Sequence, residues 1–137
     1  ANVLVVGLGG VGAYAAEMIA RAGVGRMTIA DADTVSPTNI NRQLIALHST
    51  IGKAKVEVMA QRVLDINPNC IVRTHQIFYT PETAGQFDFS LYDYVIDCID
   101  TVTGKLEIIL KYLLIFLMYV MYLSMIILQE TYLFRQL

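Results

Sequence analysis

A six-residue stretch, Gly7-Leu8-Gly9-Gly10-Val11-Gly12, constrains this chain more than any other feature of it. It follows Val3-Leu4-Val5-Val6, a β-branched apolar run of the kind that forms a buried parallel strand. It leads into an Ala-rich segment, Val11 to Ala22, that reads as a helix stopped by Gly23 and Gly25. In that setting the glycines permit positive φ and let backbone N–H groups approach a phosphate, while the helix N-terminus adds a favourable dipole. Gly7, Gly9, Gly10 and Gly12 are therefore candidate nucleotide-binding positions. The motif points to a nucleotide without saying which one, and an ordinary tight βα turn is its bland counterpart.

Met27-Thr28-Ile29-Ala30 reads as a second strand ending at Asp31, which completes a βαβ unit in about thirty residues. A helix is expected over about Lys53 to Ile66, capped by Ser49 or Thr50, with Val56, Met59, Ala60 and Val63 on one face. After the Asn67-Pro68-Asn69 turn come a third strand over Cys70 to Phe78 and a short capped helix at Thr80-Pro81-Glu82. A fourth strand is expected over Tyr94 to Asp97. The alternation predicts an α/β fold, a Rossmann-like, doubly wound and mainly parallel sheet, here partial. Ligands of such sheets bind at the carboxyl ends of the strands.

Asp31, about twenty residues past the glycines, stands where a carboxylate meets ribose hydroxyls. Asp33 reads equally as a residue that steadies its own loop. The long polar connection from Asp33 to Thr50 carries Asn39, Asn41, Arg42 and Gln43. A dehydrogenase needs no arginine there, because backbone already cradles its two phosphates. An enzyme that cleaves a nucleoside triphosphate needs a cation where charge develops on pyrophosphate, and Arg42, planar and permanently charged, suits that role. Lys55 is a candidate second cation. Asp100, just past the fourth strand, is a candidate ligand for Mg²⁺ bridging phosphate oxygens. Asp97 reads as a cap for backbone amides, Cys98 as a small packing side chain, and His48 and His75 as residues without metal partners.

Net charge is -2, so the chain as a whole carries no basic signature for nucleic acid. Cys70 and Cys98 form neither a CxxC pair nor a zinc spacing, and a cytoplasmic setting is expected. The 55% hydrophobic content is concentrated at the end of the chain. Two parts are expected, a nucleotide-binding domain over 1–105 and an atypical apolar tail over 106–137. Within the tail, Tyr112 to Leu128 is an uncharged run of 17 residues, at the short limit for a membrane span. Three readings of it stay open: a buried or aggregation-prone helix, a membrane-associated helix, or sequence foreign to the native fold through truncation or an altered reading frame.

Taken together, these residues resemble the superfamily of ThiF, MoeB and the ubiquitin-activating enzymes. The resemblance rests on Gly7-x-Gly9-Gly10-x-Gly12, Asp31-x-Asp33-x-Val35, Asn39-x-Asn41-Arg42-Gln43 and Gly52-x-x-Lys55-Val56-Glu57. It continues through Ile66-Asn67-Pro68 and Asp97-Cys98-Ile99-Asp100, covering about residues 2 to 105. Within it the chain is most similar to tRNA threonylcarbamoyladenosine dehydratases of the TcdA type. His48-Ser49-Thr50-Ile51-Gly52, Lys55 to Ala60 and Asp100 to Lys105 carry that similarity.

The resemblance implies ATP and Mg²⁺ as cofactors and a carboxylate activated as an acyl-adenylate. In the dehydratase branch the carboxylate is the threonylcarbamoyl group on adenosine 37 of tRNA, and ring closure follows. Carried over, Gly10 contacts the nucleotide, Asp31 the ribose, Asn39, Arg42 and Lys55 the phosphates, and Asp100 the metal. A homodimer is implied too. The family's N-terminal helical segment and its strands beyond the fourth have no counterpart here, so the activity is expected of a longer parent protein rather than of these residues alone. Adenylation of a ubiquitin-like sulfur carrier, and an NAD-dependent dehydrogenase, are the alternatives.

Overall fold

The structure, a computed structural model, describes residues 1–134, with side chains as far as residue 124. Four strands, β1 (Asn2–Val6), β2 (Arg26–Ala30), β3 (Ile71–His75) and β4 (Tyr94–Asp97), form one parallel sheet in the order β3-β2-β1-β4. Helices α1 (Gly12–Arg21) and α2 (Lys55–Ile66) make the first crossovers, and α3 (Val102–Phe134) leaves the end of β4. The expected Rossmann-like parallel arrangement is present. The chain moves outward from β1 to β3 and then returns to the other side of β1. The strand order therefore reverses between β1 and β4, the place where sheets of this kind bind ligands.

β1 sits between two neighbours and is buried on both faces, which is why it is apolar without alternation. Its side chains divide by parity. Val3 and Val5 join Ala13, Ala16, Met27, Ile29, Met59 and Val63 under α1 and α2. Leu4 and Val6 face Tyr79, Phe87, Phe89 and Ile108 on the opposite side. Each fully buried aliphatic here contributes roughly 1.5–3 kcal/mol. The alanines of α1 let that helix approach the sheet closely. The helix ends as the sequence indicates, with Gly23 at φ +81° just past its last turn. Where α1 meets α2, the buried Glu17 carboxylate accepts from Arg62 at 2.6 Å and Arg21 at 2.7 Å, and these guanidinium groups hold it below the usual carboxylate range.

Three local expectations are corrected. Neither Ser49 nor Thr50 caps α2. The helix begins at Lys55 after Ala54, with no side-chain cap, because Thr50 Oγ1 is engaged by its own turn, accepting from Leu47 N and donating to Ile45 O. β3 ends at His75 rather than Phe78, since the chain turns away once it passes β2. Thr80-Pro81-Glu82 forms a turn tied by Thr83 rather than a helix, with a 3-10 turn following at Ala84–Gln86.

The tail is helical. Gly104 and Ile108 anchor the start of α3, a Cβ on Gly104 would lie 2.6 Å from the Ile99 side chain, and Tyr112 meets Phe89 at 5.8 Å between ring centroids. Between Val102 and Ser124 only Gly104 and Ile108 are buried. Positions 135–137 of the expected tail lie outside the described residues.

Candidate functional site

A cleft of about 640 Å³ opens at the reversal point of the sheet. Its floor is the glycine turn, and its walls are the segments that follow β2, β3 and β4. The four glycines of the turn divide into two pairs by their surroundings. Gly7 has φ +92°, and a Cβ there would stand 2.7 Å from the Cys98 carbonyl oxygen. A Cβ on Gly12 would stand 1.8 Å from the Gly7 oxygen. These two make the turn possible. Gly9 has nothing within 4 Å of its missing Cβ and Gly10 has only Arg42, at 3.7 Å. These two leave bare backbone facing the cleft, at the N-terminus of α1, where an anion is favoured.

Asp31 lies at the end of β2 and braces the turn. Its Oδ2 accepts from Leu8 N at 2.6 Å and its Oδ1 from Asp33 N at 2.8 Å. An ionised carboxylate has about four acceptor positions, so capacity toward a sugar hydroxyl remains. The sequence points to the ribose role and is silent on the bracing.

The connection from Asp33 to Lys55 is held at both ends. Val35 N donates to Lys53 O and Lys55 N to Asp33 O, while buried Ile45 and Ala46 anchor its middle. Asn39 Oδ1 accepts from Ser36 N at 3.0 Å, closing a capping box that aims the following residues at the cleft. Arg42 is exposed, and its Nη1 donates to Thr38 O at 3.0 Å and Asn41 Oδ1 at 2.9 Å. Lys55 is buried, and its Nζ donates to Asp33 Oδ2 at 2.8 Å. Asp33 is thus more than a brace for its own loop.

Beyond β4, Asp97 accepts from Ile99 N at 3.2 Å, as a capping role requires, and pairs with Lys105 Nζ at 3.1 Å. Asp100 is exposed and has no side-chain partner among the described residues. Burial and the Asp97 charge push the Cys98 thiol up, against a smaller opposing effect of Lys105, which suits a packing residue and not a thiolate nucleophile. His75 packs on Phe87, with ring centroids 4.9 Å apart, and His48 is exposed.

Every candidate site residue except Gly12 lines this one cleft: Gly7, Gly9, Gly10, Asp31, Asn39, Arg42, Lys55 and Asp100. Gly12 lies beneath it. Three of the other lining residues add chemistry that the sequence does not assign to the site. Gln43 is buried, and its Oε1 has no hydrogen-bond partner among the described residues. Tyr79 is buried with an unpartnered hydroxyl, and burial, reinforced by Glu107, pushes its pKa up to about 12. Phe78 presents an exposed ring. Gln43 stood next to Arg42 in the sequence. The Ile77–Thr80 segment carried no motif, and only the end of β3 brings it to the site.

No cluster of three or more His, Cys, Asp or Glu able to enclose an ion occurs among the described residues. One exposed carboxylate over a phosphate cradle still fits a cation that takes most of its ligands from phosphate and water.

A glycine-floored cleft at the switch point of a parallel sheet, with Arg42, Lys55 and the exposed carboxylate of Asp100 on its walls, defines a nucleotide-binding α/β domain. The ThiF family model matches residues 1–111, and the chain belongs to that family. It is 53% identical over 108 residues to the tRNA threonylcarbamoyladenosine dehydratase of Bacillus subtilis (strain 168), a match that covers 78% of this chain and 42% of that protein. It is 39% identical over 100 residues to the adenylyltransferase and sulfurtransferase uba4 of Emericella nidulans, covering 73% of this chain and 20% of the relative. Among solved structures, the Escherichia coli tRNA N6-threonylcarbamoyladenosine dehydratase in complex with ATP superposes with a TM-score of 0.73 at 50% identity. That match covers 77% of this chain and 43% of the other. The chain spans about two fifths of the length of the dehydratases it matches.

Proposed function

We propose that this chain is the ATP-binding part of an enzyme that adenylates a carboxylate, with the threonylcarbamoyl group of tRNA adenosine 37 as the substrate. The observation that carries the reading is the presence of Arg42, Lys55 and Asp100 on the walls of the cleft whose floor is Gly7–Gly10. A hydride-transfer site has no use for that charge arrangement.

In this reading a substrate carboxylate oxygen attacks the α-phosphorus of ATP and pyrophosphate leaves. Gly9 and Gly10 N–H groups and the α1 dipole hold phosphate oxygens. Arg42 neutralises charge developing on the leaving pyrophosphate. The Lys55 ammonium has three donors and Asp33 takes one, so Lys55 can serve the phosphates without leaving its pair. Asp31 accepts from ribose hydroxyls while it braces the turn, and Asn39 offers its amide N–H groups. Asp100 is the residue that would hold Mg²⁺, which lowers the charge on the phosphates when bound. An internal nucleophile of the modified nucleoside then displaces AMP. A ring closes, one carboxylate oxygen departs with AMP, and the net change is loss of water. The working unit in this reading is a homodimer.

The test is exchange of labelled pyrophosphate into ATP by a protein of the relatives' full length that carries residues 1–111 of this chain. Exchange that depends on tRNA bearing the threonylcarbamoyl group is the expected result. The likeness to uba4 favours a second reading, in which the carboxylate is the C-terminal glycine of a ubiquitin-like sulfur carrier. Exchange that responds to such a protein and ignores tRNA selects it.

A further inference from the structure

We infer that α3 beyond Tyr112 is a lipid-embedded anchor that holds the nucleotide cleft near a membrane surface. Two boundaries coincide at this point of the helix. The first is where it stops touching the domain. Lys111 Nζ donates to the Ala84 carbonyl oxygen and lies 5.4 Å from the Phe89 ring centroid, and Tyr112 packs on Phe89. From Leu113 to Ser124 every residue is exposed. The second is where charge stops. Lys105, Glu107 and Lys111 precede the boundary, and the next charged residue in the sequence is Glu130. The helix therefore leaves the protein and becomes uncharged at the same turn.

The distribution of apolar side chains selects the occupant. Leu113, Leu114, Ile115, Phe116, Met118 and Leu123 between them point all around the axis, at exposures of 38% to 71%. The only polar side chain on this stretch apart from the tyrosines is Ser124, whose hydroxyl donates to the Val120 carbonyl inside the helix. A helix–helix dimer covers one stripe, and a docking groove covers one face; either would leave the remaining apolar surface in water. A solvent that is apolar on all sides covers the whole of it. The run from Tyr112 to Leu128 has 17 residues, and at about 1.5 Å each spans roughly 25 Å, near the thickness of a hydrocarbon core. Tyr112, Tyr119 and Tyr122 lie on it, and Gln129-Glu130 closes its far end. Thr103 and Lys105, in the first turns of α3, line the cleft, so about seven residues of helix, roughly 10 Å, separate the cleft from the lipid boundary.

Flotation of the whole chain with phosphatidylcholine–phosphatidylglycerol vesicles tests this. The expected result is co-flotation that survives 1 M-scale salt (on the order of a tenfold Debye-length reduction from dilute buffer) and alkaline carbonate, and that falls at least tenfold in the double variant Phe116→Arg/Val120→Arg. Circular dichroism and ATP titration of that variant report whether the domain is folded. Flotation abolished by salt would reduce the contact to surface charge and overturn the proposal. So would recovery of the chain in the aqueous fraction, whether as a monomer or as an oligomer of defined size. Unchanged flotation of the double variant would overturn it as well.

Discussion

Lys55 and Asp33, 22 residues apart in sequence, meet at 2.8 Å on the wall of the cleft, and they do so unequally. The lysine side chain is 5% exposed and the aspartate 53%. The lysine depends on the pair more than the aspartate does, because a buried ammonium without a counter-charge keeps its whole desolvation penalty. The first prediction follows from that asymmetry. Asp33→Ala costs about 1–2 kcal/mol, a figure reduced from the fully buried case by water around the carboxylate. Lys55→Met, which keeps the apolar stem and drops the charge, costs less. Adding Asp33→Ala to Lys55→Met costs little more. Denaturant unfolding of the three variants measures this. Equal losses for the two single variants would show that the lysine does not need its partner.

The two pairs of glycines separate fold from ligand. Gly12→Ala places a methyl 1.8 Å from a backbone oxygen, and about 3 kcal/mol or more of stability is lost. Gly9→Ala meets nothing within 4 Å, so stability stays within about 0.5 kcal/mol. The methyl at position 9 nevertheless intrudes where phosphate approaches. Thermal unfolding with and without ATP distinguishes the outcomes: Gly9→Ala melts like the parent alone and loses the shift that ATP gives the parent.

Arg42 is exposed and holds only Thr38 and Asn41. Arg42→Ala therefore leaves folding stability within about 0.5 kcal/mol. In a protein of full family length, turnover falls by on the order of 100-fold, as for removal of one donor aimed at developing charge, while affinity for ATP changes by only a few fold. Loss of ATP binding with an unchanged rate for the bound complex is the result that contradicts this role.

Tyr79 gives the pH dependence. Burial pushes its pKa from 10.0 up to about 12, so the folded state favours the neutral phenol. The stability it contributes is fully present below pH 10.0 and is lost as pH rises toward about 12. Its hydroxyl has no partner, so Tyr79→Phe is expected to stabilise the domain by about 1 kcal/mol near neutrality. The variant should also show a smaller loss of stability across the alkaline window. Unfolding curves collected from neutral pH to about 12 compare the two proteins; parallel pH profiles would remove Tyr79 as the cause.

The parts of the site that sequence shows are those in which a local backbone requirement selects a residue type. Gly7 and Gly12 are legible because a strand turning into a helix needs positive φ and close approach there. Asp31 is legible because its distance from the glycines is set by one helix and one strand. The expected cap of α2 by Ser49 or Thr50 was misplaced because Thr50 Oγ1 is held by Leu47 and Ile45, a competition between neighbouring turns that composition does not register. Tyr79 enters the site with no motif of its own, and Gln43, though part of the Asn39–Gln43 motif, carries no sign in the sequence that it is buried in the cleft wall. Both are placed by the packing of long connections against the sheet, and that packing has no fixed spacing.

The amino-acid order alone specifies a βαβ nucleotide-type unit, the strand–helix order, the chemistry available to the site and an uncharged segment after Lys111. Those properties are local, since hydrophobic period, glycine conformations and charge are written residue by residue. Long-range packing alone brings Arg42 and Lys55, from the connection after β2, and Asp100, from the connection after β4, into one cleft with the glycine turn, and pairs Lys55 with Asp33. It alone also decided that the tail leaves the domain at Tyr112 with every face uncovered. The arrival of Asp100 and of α3 depends on the return of β4 to the far side of β1, a long-range pairing whose energy comes from burying both faces of the central strand.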